Sequence, residues 1–474
     1  MQQLTPLDSV FLAMETDQNT GHVGGLILLD PSSHPESCFR YDAFLELVTD
    51  RLALCPRFGW TLQEVPFGLD QPYWVDNGPL RVERQVQRIA LPGPGGTKEL
   101  SELSSFLFEG PLDRSRPLWE IFFIEGLQGG RVALLWKVHH AMMDGVSGAG
   151  LIEQLFDLQP VPGDRALVPV QDSAQAGEPV GLAEMAWNGL LNGMMRPQAI
   201  VKHAMRVGRQ VADQLLADGI DGVKTAPKSA FNGVVGSERS VAWSRISFER
   251  VKALKDEINV TVNDVVLAIT GESVRHYLSA RDALPEEDMV AAVPVSIRSK
   301  GDTSLGNQVS EIGISWGTNI ADPLERVLAI HAAAQQAKQS GKAGLVNPME
   351  AMAESLAPGA MQIFAQLSAS AGENMPLPAN AVVSNVPMSP VPLYISGARI
   401  EGLVPMSLLP PTHGINITVV SYCGELHFGL IADPQLVDGL WEIADGISKA
   451  MVSLEAACEA APAPEAQPDS LAEA

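Results

Sequence analysis

Cysteine is the first residue type that this sequence has little of. The 474 residues include four cysteines, namely Cys38, Cys55, Cys423 and Cys458. No two of them form a CxxC pair or another close spacing, so the pattern is typical neither of a disulfide framework nor of a zinc motif. We therefore predict a cytoplasmic protein of a reducing compartment, without a metal site.

Long apolar runs are also absent. No stretch of about 18 or more consecutive apolar residues occurs, which argues against a membrane-spanning helix. The opening MQQLTPLDSVFLAMETDQ does not place a basic segment before an apolar core, so it does not predict a signal peptide. We expect any association with the inner face of a membrane, or with lipid inclusions, to be peripheral.

Positive charge is the third shortage. Lys and Arg number 32 against 56 Asp and Glu, which gives a net charge of −24. A chain this acidic is repelled by a phosphate backbone, so nucleic acid is not an expected partner.

One segment departs from this acidity. Residues 187 to 212 contain no acidic side chain but four basic ones, at Arg196, Lys202, Arg206 and Arg209. We interpret the segment as a solvated helix packed across two domains. Two alternatives stay open: attraction of the phosphates of a nucleotide-containing substrate, or a membrane or lipid-droplet contact anchored by the apolar Trp187, Met194, Met195 and Met205.

What the chain does contain is enough apolar sequence for two cores, since 46% of its residues are hydrophobic. A segment rich in Pro and Gly separates two halves in which strands alternate with helices. We predict an N-terminal domain over 1–160, a linker with basic amphipathic helices over 161–230, a C-terminal domain over 231–454, and a disordered acidic Ala/Pro tail over 455–474.

Both halves are predicted to be mixed α/β. The segment HVGGLILLD is typical of a buried strand, while YDAFLELVTDRLALCP and DPLERVLAIHAAAQQAKQ have helical spacing. LWEIFFIEGL and GGRVALLWKVHH predict a hairpin around Gly129 and Gly130, and NITVVSYCGELHFGLIAD predicts a second hairpin turning at Gly424.

The first hairpin ends in the segment HHAMMDG, residues 139 to 145. Adjacent side chains on an extended backbone point to opposite sides, so only one of His139 and His140 can face a given cleft. A neutral imidazole is a common proton acceptor for a hydroxyl. Asp144 can orient the loop, and Gly145 permits a close backbone approach. Taken alone, the segment fits a catalytic base and two structural histidines equally well.

Other catalytic signatures are missing from the sequence. There is no GxSxG elbow, no P-loop, no HExxH motif and no GxGxxG after a strand. A base without a protein nucleophile fits direct attack by a substrate hydroxyl on an activated acyl group.

The HHxxxDG pattern resembles the signature of the CoA-dependent acyltransferase superfamily. Further segments resemble, in order, the bacterial wax ester synthase/diacylglycerol acyltransferase family, and the resemblance runs from about residue 4 to 450. They are LTPLDSVFLAMETDQNTGHVGGL, PLDRSRPLWEIFFIEGLQGGR with Pro117-Leu118-Trp119, TVNDVVLAITGESVRHYL with Asn263-Asp264, VPVSIRS, GNQVSEI, SNVPMSPVPLYISGARI with Ser384-Asn385, and GINITVVSYCGELHFGLIAD.

Two departures from the family pattern are visible. Met388-Ser389-Pro390 follows SNVP where the family usually has Gly-Pro, and RVERQVQRIALPGPGG lacks a histidine common in relatives. Neither touches HHxxxDG, and we expect both to bear on the preference for acyl chain or alcohol.

The resemblance implies a fold of two chloramphenicol-acetyltransferase-like domains with an active-site tunnel between them. It implies an O-acyltransferase that joins the acyl group of acyl-CoA, a substrate rather than a cofactor, to a long-chain alcohol or a diacylglycerol. The products would be wax esters or triacylglycerol. His140 would be the general base, and His139, Asp144 and Gly145 would support it.

The resemblance allows two roles for each of the remaining motifs. Asn263, with Asp264 beside it, would stabilise the oxyanion or position substrate, or Asn263 would cap a helix. Ser384 and Asn385 would line a substrate channel or form a turn. The residues expected to pack beneath the site are Pro117, Leu118 and Trp119, and those expected to be structural histidines are His22 and His413.

Two other functions fit the same fold. One is an acyltransferase that uses a different alcohol or an amine as acceptor, against which the additional family motifs argue. The other is a non-catalytic lipid-binding protein, against which the intact HHxxxDG segment argues. The sequence alone leaves open the chain-length preference, the ratio of wax ester to triacylglycerol, the oligomeric state, the oxyanion donors and the partner of Asp144.

Overall fold

A computed structural model describes most of the chain. The described residues are 1–16, 18–33, 39–142, 155–161, 181–192, 225–296, 309–341, 356–363 and 377–460. Asp144, Gly145, the four basic residues of the 187–212 segment and its three methionines lie outside them, as does most of the predicted linker.

Seven helices and fifteen strands within these residues have defined bounds. The helices are α1 (Pro6–Ala13), α2 (Tyr41–Leu52), α3 (Thr97–Glu109), α4 (Phe248–Glu257), α5 (Val262–Ser279), α6 (Pro323–Gly341) and α7 (Leu440–Ala460). The strands are β1 (Gln2–Gln3), β2 (His22–Asp30), β3 (Trp60–Gln63), β4 (Tyr73–Asp76), β5 (Val86–Ala90), β6 (Trp119–Glu125), β7 (Val132–His139), β8 (Ser240–Ser247), β9 (Val290–Ser296), β10 (Val309–Ser315), β11 (Ala381–Pro387), β12 (Tyr394–Ile395), β13 (Ala398–Met406), β14 (Ile415–Tyr422) and β15 (Glu425–Ala432). Two further helical stretches cover 182–192 and 358–363.

Two six-stranded mixed sheets form the frame of the molecule, and β1, β4 and β3 form a small third sheet. The first large sheet has the order β12-β13-β2-β7-β6-β5. The second has the order β10-β9-β11-β14-β15-β8. Helices α5 and α7 pack together in the second half of the chain, where their apolar residues join one core with β14 and β15. The predicted mixed α/β class is confirmed.

Both predicted hairpins are present. β6 and β7 pair antiparallel on either side of a turn in which Gly129 has φ 73° and Gly130 has φ 71°. β14 and β15 pair antiparallel around Cys423 and Gly424, and the φ of 81° at Gly424 lies in the region that glycine adopts without steric cost.

Strand β7 is the most deeply buried strand of the first sheet, since all eight of its residues are buried. Its side chains alternate between two environments. Leu134 and Trp136 join the core of the first half. Leu135 instead joins an apolar layer shared with Val404 of β13 and Ile431 of β15, which lies between the two large sheets.

Strands β12 and β13 cross the predicted division of the chain. Their residues come from the C-terminal half, yet β13 pairs antiparallel with β2 in the N-terminal sheet. β13 also packs on β15 of the second sheet, where Gly429 meets the backbone of Pro405. The two sheets are therefore joined in two ways: the C-terminal half contributes strands to the first sheet, and side chains pack between the sheets.

The C-terminal tail begins later than predicted. Helix α7 continues to Ala460, so residues 455–460 are helical rather than disordered. The Glu455 carboxylate accepts a hydrogen bond of 2.8 Å from Nε of Arg250, and Cys458 is buried against the core. The Ala and Glu content that suggested a tail is equally compatible with a last helical turn that has packing partners.

Replacing Gly429 with alanine is expected to destabilise the junction of the two sheets. A Cβ atom at this position would lie 1.8 Å from the carbonyl oxygen of Pro405, so a strand would have to move. We expect a loss of about 3 kcal/mol in the free energy of unfolding, measured by urea denaturation. Gly59→Ala is the control, because its Cβ would lie 3.7 Å from Leu80, an ordinary contact distance. Equal stability of the two variants would contradict the prediction.

Candidate active site

His139 is the last residue of β7 and is completely buried. Its backbone N–H donates to the Leu118 carbonyl at 2.9 Å, and its ring Nδ1 accepts the Ala141 N–H at 3.1 Å. Because Nδ1 is an acceptor, the ring proton lies on Nε2. That nitrogen is 3.6 Å from Oε2 of Glu15.

Glu15 is a buried carboxylate just after α1. Its Oε1 accepts the Gly21 N–H at 3.2 Å, and its Oε2 accepts from Arg114 Nη2 at 2.7 Å and Nε at 3.1 Å. Burial alone would raise the pKa of Glu15, but His139 and Arg114 together outweigh burial and lower the pKa to about 2. Glu15 is therefore an anion across the physiological pH range.

Arg114 ties this carboxylate to the surrounding backbone. Its Nη2 also donates to the Leu12 carbonyl of α1 at 3.0 Å. Its Nη1 donates to Glu64 at 2.9 Å, an exposed carboxylate on the far side of the guanidinium. Arg114 thus fixes the end of α1 and the carboxylate of Glu15 at the same time.

His140 differs from its neighbour in being only half-buried. Its backbone N–H donates to the Gly21 carbonyl at 2.9 Å. Its ring stacks on Phe11 of α1, with centroids 4.0 Å apart and planes 15° from parallel. The two rings thus differ in exposure: the ring of His139 is completely buried, and His140 retains accessible surface.

Gly21 lies at the contact between α1, β2 and the two histidines. A Cβ atom here would be 2.7 Å from Nε2 of His139 and 2.9 Å from the Phe11 carbonyl oxygen. A side chain would separate the elements that hold the pair, so the residue type is dictated by packing.

His22 and Lys137 form a second buried polar pair near His139. His22 Nε2 donates to the Phe108 carbonyl at 2.7 Å, and Lys137 Nζ donates to the Leu107 carbonyl at 3.0 Å, so both bind the last carbonyls of α3. Burial, followed by the Lys137 charge, holds the pKa of His22 well below its ordinary value. Burial also lowers the pKa of Lys137.

His413 resembles His22 in being a buried histidine, but it lies in the loop before β14 rather than beside His139. It is buried, and burial lowers its pKa to about 4. A histidine that stays neutral in a packed loop at ordinary pH has a structural environment.

The PLW segment lies directly behind the motif. Leu118 and Trp119 are completely buried, and Leu118 supplies the carbonyl that accepts the His139 N–H. Trp119 donates its indole N–H to the Phe58 carbonyl at 2.8 Å, while Pro117 immediately precedes this buried pair. The segment supports the backbone of His139.

Asn263 does not cap α5, so that interpretation was wrong. The helix begins at Val262, and Thr261 is the N-cap, with a side chain that accepts the Asp264 N–H at 3.3 Å. Asp264 in turn accepts the Thr261 N–H at 2.8 Å and faces Nδ1 of His331 at 2.7 Å. Asn263 is a half-buried residue of the first turn.

Ser384 and Asn385 lie on β11 of the second sheet, opposite Thr418 and Val419 of β14. Both are half-buried. The next part of the segment, at Met388, packs against the core of the first half. The segment is therefore strand rather than turn, and it leads toward the junction of the sheets.

Sequence reasoning missed Glu15 and Arg114. Both occur in segments that were recognised, METDQ and PLDRSRPLW, but neither is part of HHxxxDG. The available signal was an acidic residue shortly before β2 together with an arginine shortly before β6. Their meeting at His139 is a tertiary contact, which periodicity does not reveal.

Comparisons with known proteins agree on one family. The model of the wax ester synthase/diacylglycerol acyltransferase catalytic domain matches residues 4–266, and that of the family's C-terminal domain matches residues 305–455. The O-acyltransferase WSD of Acinetobacter baylyi is 31% identical over 446 residues, which cover 91% of this chain and 92% of that protein.

Solved structures extend the likeness to the fold. The wax ester synthase/diacylglycerol acyltransferase from Marinobacter aquaeolei VT8 is similar with a TM-score of 0.69 and 29% identity, covering 97% of this chain and all of that chain. The first condensation domain of the CDA synthetase is similar with a TM-score of 0.56, 15% identity and coverage of 97% and 96%. The predicted two-domain acyltransferase fold and the predicted family are confirmed.

The charge of Glu15 is expected to stabilise the protein in a defined pH window. A carboxyl with a folded pKa of about 2 and an ordinary value of 4.5 stabilises the fold above pH 4.5, and this contribution is lost as pH falls toward 2. We expect the stability difference between wild type and Glu15→Gln to reach up to about 3 kcal/mol at pH 6 and to shrink by pH 3, measured by urea denaturation.

Glu64→Gln is the matched control for this titration, because Glu64 contacts the same guanidinium from an exposed position. Its stability difference from wild type should be small throughout. A Glu15→Gln difference that is constant between pH 6 and pH 3 would contradict the assignment.

Proposed function

The chain belongs to the wax ester synthase/diacylglycerol acyltransferase family and is an acyltransferase, and from this premise we propose that it esterifies a long-chain alcohol or a diacylglycerol with the acyl group of acyl-CoA. The observation that carries the proposal is the unequal burial of the histidine pair. A fully buried His139 faces a carboxylate, and a half-buried His140 has the surface to meet a substrate hydroxyl.

In the proposed reaction His140 is the general base. The acceptor oxygen attacks the thioester carbonyl carbon, and its proton passes to the His140 ring. The tetrahedral intermediate then collapses, the carbon–sulfur bond breaks, and the departing CoA sulfur takes the proton back from His140. The products are an ester and free CoA thiol. Neither an acyl-enzyme nor a bound cofactor has a part in this sequence.

The developing oxyanion needs hydrogen-bond donors. We assign this role, or the positioning of substrate, to Asn263, with Ser384 and Asn385 lining the channel for the acyl group or the acceptor. Asp144 and Gly145 would hold the loop after the pair. The proposed channel is a tunnel between the two sheets, because His140 directly follows the strand whose face contributes to the layer between them.

We further propose that the protein binds lipid surfaces peripherally. Within the described residues no helix is both long and apolar enough to cross a membrane. Five large apolar side chains are exposed on adjoining segments. They form what we name the outer apolar patch: Phe67 (93% exposed), Trp187 (62%), Ile363 (60%), Leu190 and Leu191.

Backbone contacts join the segments of the patch. Gly68 packs on Gly359, where a Cβ would lie 2.8 Å from the neighbouring backbone nitrogen, and Gly189 packs on Leu69. Met361 in turn packs against Val10 of α1, the helix that carries Phe11. The patch therefore flanks the helix that contacts His140, and the basic residues that follow Trp187 in sequence suit an anionic surface.

Loss of the base should abolish turnover. With palmitoyl-CoA and either hexadecanol or a diacylglycerol, we expect the wild-type protein to release thiol and form neutral lipid. His140→Ala should lose about 10²-fold or more of kcat while remaining folded. His276→Ala, a change at an exposed histidine of α5, is the control and should retain wild-type turnover. Near-wild-type turnover in His140→Ala would refute the mechanism.

The choice of acceptor separates this proposal from its alternatives. Ester formed from hexadecanol or diacylglycerol supports it. Thiol release that requires an amine or a different alcohol would indicate an acyltransferase of another acceptor class. An absence of thiol release with every acceptor would favour a lipid-binding protein.

The outer apolar patch is testable by flotation with liposomes that contain anionic lipid. We expect the double change Phe67→Ser and Trp187→Ser to reduce the floating fraction several-fold, because both side chains would otherwise insert below the headgroups. Val452→Ser removes an apolar side chain of α7 that is 57% exposed and lies outside the patch, and it should float like wild type. Arg206→Glu with Arg209→Glu tests the basic segment. Unchanged flotation of both double variants would refute binding through these two surfaces, and wild-type protein that does not float would refute membrane binding.

A further inference from the structure

Several connections converge on the segment between α1 and β2. From the first half of the chain, Arg114 binds Glu15, which also binds Gly21. From the second half, Asn19 donates to the Leu409 carbonyl at 2.9 Å, and its side-chain oxygen accepts from Arg239 at 3.1 Å. The segment is held at both ends by groups that are far apart in sequence.

This segment touches the histidine pair through two routes. In the first, Glu15 Oε1 accepts the Gly21 N–H, and the Gly21 carbonyl accepts the His140 N–H. In the second, Glu15 Oε2 faces Nε2 of His139, whose Nδ1 accepts the Ala141 N–H. The Glu15 carboxylate is therefore linked to the backbone N–H of His140 through Gly21 and to that of Ala141 through the His139 ring.

We propose that Glu15, oriented by Arg114, is a positioning residue for the reaction, and that it sets the place of the His140 ring through Gly21 and His139. The inference deepens the proposed function and rests on His140 as its base. Neither Glu15 nor Arg114 is assigned a contact with substrate.

Glu15 would exert this positioning effect by selecting the tautomer of His139. A carboxylate opposite Nε2 favours the ring form that carries its proton there, and this form leaves Nδ1 free to accept from Ala141. Without the negative charge, the alternative tautomer becomes accessible and would place an N–H against the Ala141 N–H. The backbone that follows His140 would then shift.

The surroundings of Glu15 contain few other charges among the described residues. Arg114 binds it directly, and His139 faces it from β7. Lys137 of β7 and His22 of β2 act on it at longer range, and both bind α3 rather than Glu15. Replacement of Glu15 therefore changes the charge that faces His139 without removing a ligand of His22 or Lys137.

Steady-state kinetics of Glu15→Gln test the proposal. We expect kcat to fall by about 10²-fold, since a small misplacement of a base has an effect of this size, while KM for acyl-CoA and acceptor changes by less than about twofold. Glu15→Asp, which keeps the charge, should recover part of the loss. Glu64→Gln removes the other carboxylate of Arg114, an exposed one, and should leave kcat and KM unchanged.

A readout that does not require turnover separates this inference from the proposed function. Nitrogen-15 NMR of the histidine rings reports the tautomer of His139 directly. We expect the Nε2–H form in wild type and Glu64→Gln, and a mixture or the reverse form in Glu15→Gln. If wild type shows no acyl transfer but the tautomer changes as expected, the proposed function fails and the positioning contact stands.

Other outcomes overturn the inference. A folded Glu15→Gln with kcat within twofold of wild type would do so, as would an unchanged His139 tautomer. If Glu15→Gln does not fold, Arg114→Lys provides the test, because lysine keeps the charge but cannot bind Glu15 and the Leu12 carbonyl with the same fork. It should lower kcat about tenfold with KM retained, and unchanged kcat in this variant would also overturn the inference.

Discussion

The pairing of β2 with β7 is the interaction on which the rest of the molecule depends. It places His22 opposite His139 and brings the segment before β2 beside the end of β7. Strand β7 is buried on both faces, so its register is fixed by packing as well as by hydrogen bonds. A shift of one residue would turn His139 toward the core of the first half and would separate it from Glu15.

Features that depend on neighbouring residues could be predicted from the sequence, whereas contacts between distant segments could not. The strand HVGGLILLD and the two hairpins were predictable because apolar runs and glycine turns are local patterns. The contact of Glu15 with His139 was not, since 124 residues separate them and only the folded sheet brings them together. The cap of α5 was misassigned for a local reason, as Thr261 and Asn263 are both good N-caps and the side chain of Asp264 selects Thr261 by completing a capping box.

Two kinds of contact hold the histidine pair. An ion pair acts on His139 and the adjacent backbone, and an aromatic ring contacts the side chain of His140. The buried anion of Glu15 and the guanidinium of Arg114 neutralise each other while binding three elements of the fold. Phe11, by contrast, contacts His140 through its ring face, which limits motion of the imidazole without donating or accepting a proton. The pair is therefore held by a charged network on the side of His139 and by a ring contact on the side of His140.

The crossing of β12 and β13 into the first sheet has a consequence for how the chain is made. Because β13 lies beside β2, the N-terminal sheet is incomplete until residue 406 has left the ribosome. The first half emerges with the edge of β2 unpaired, and contacts of such long sequence separation form slowly. An exposed edge of this kind invites association with other chains during synthesis. The feature that joins the two sheets in the finished enzyme thus leaves the edge of β2 without its partner strand until most of the chain has been synthesised.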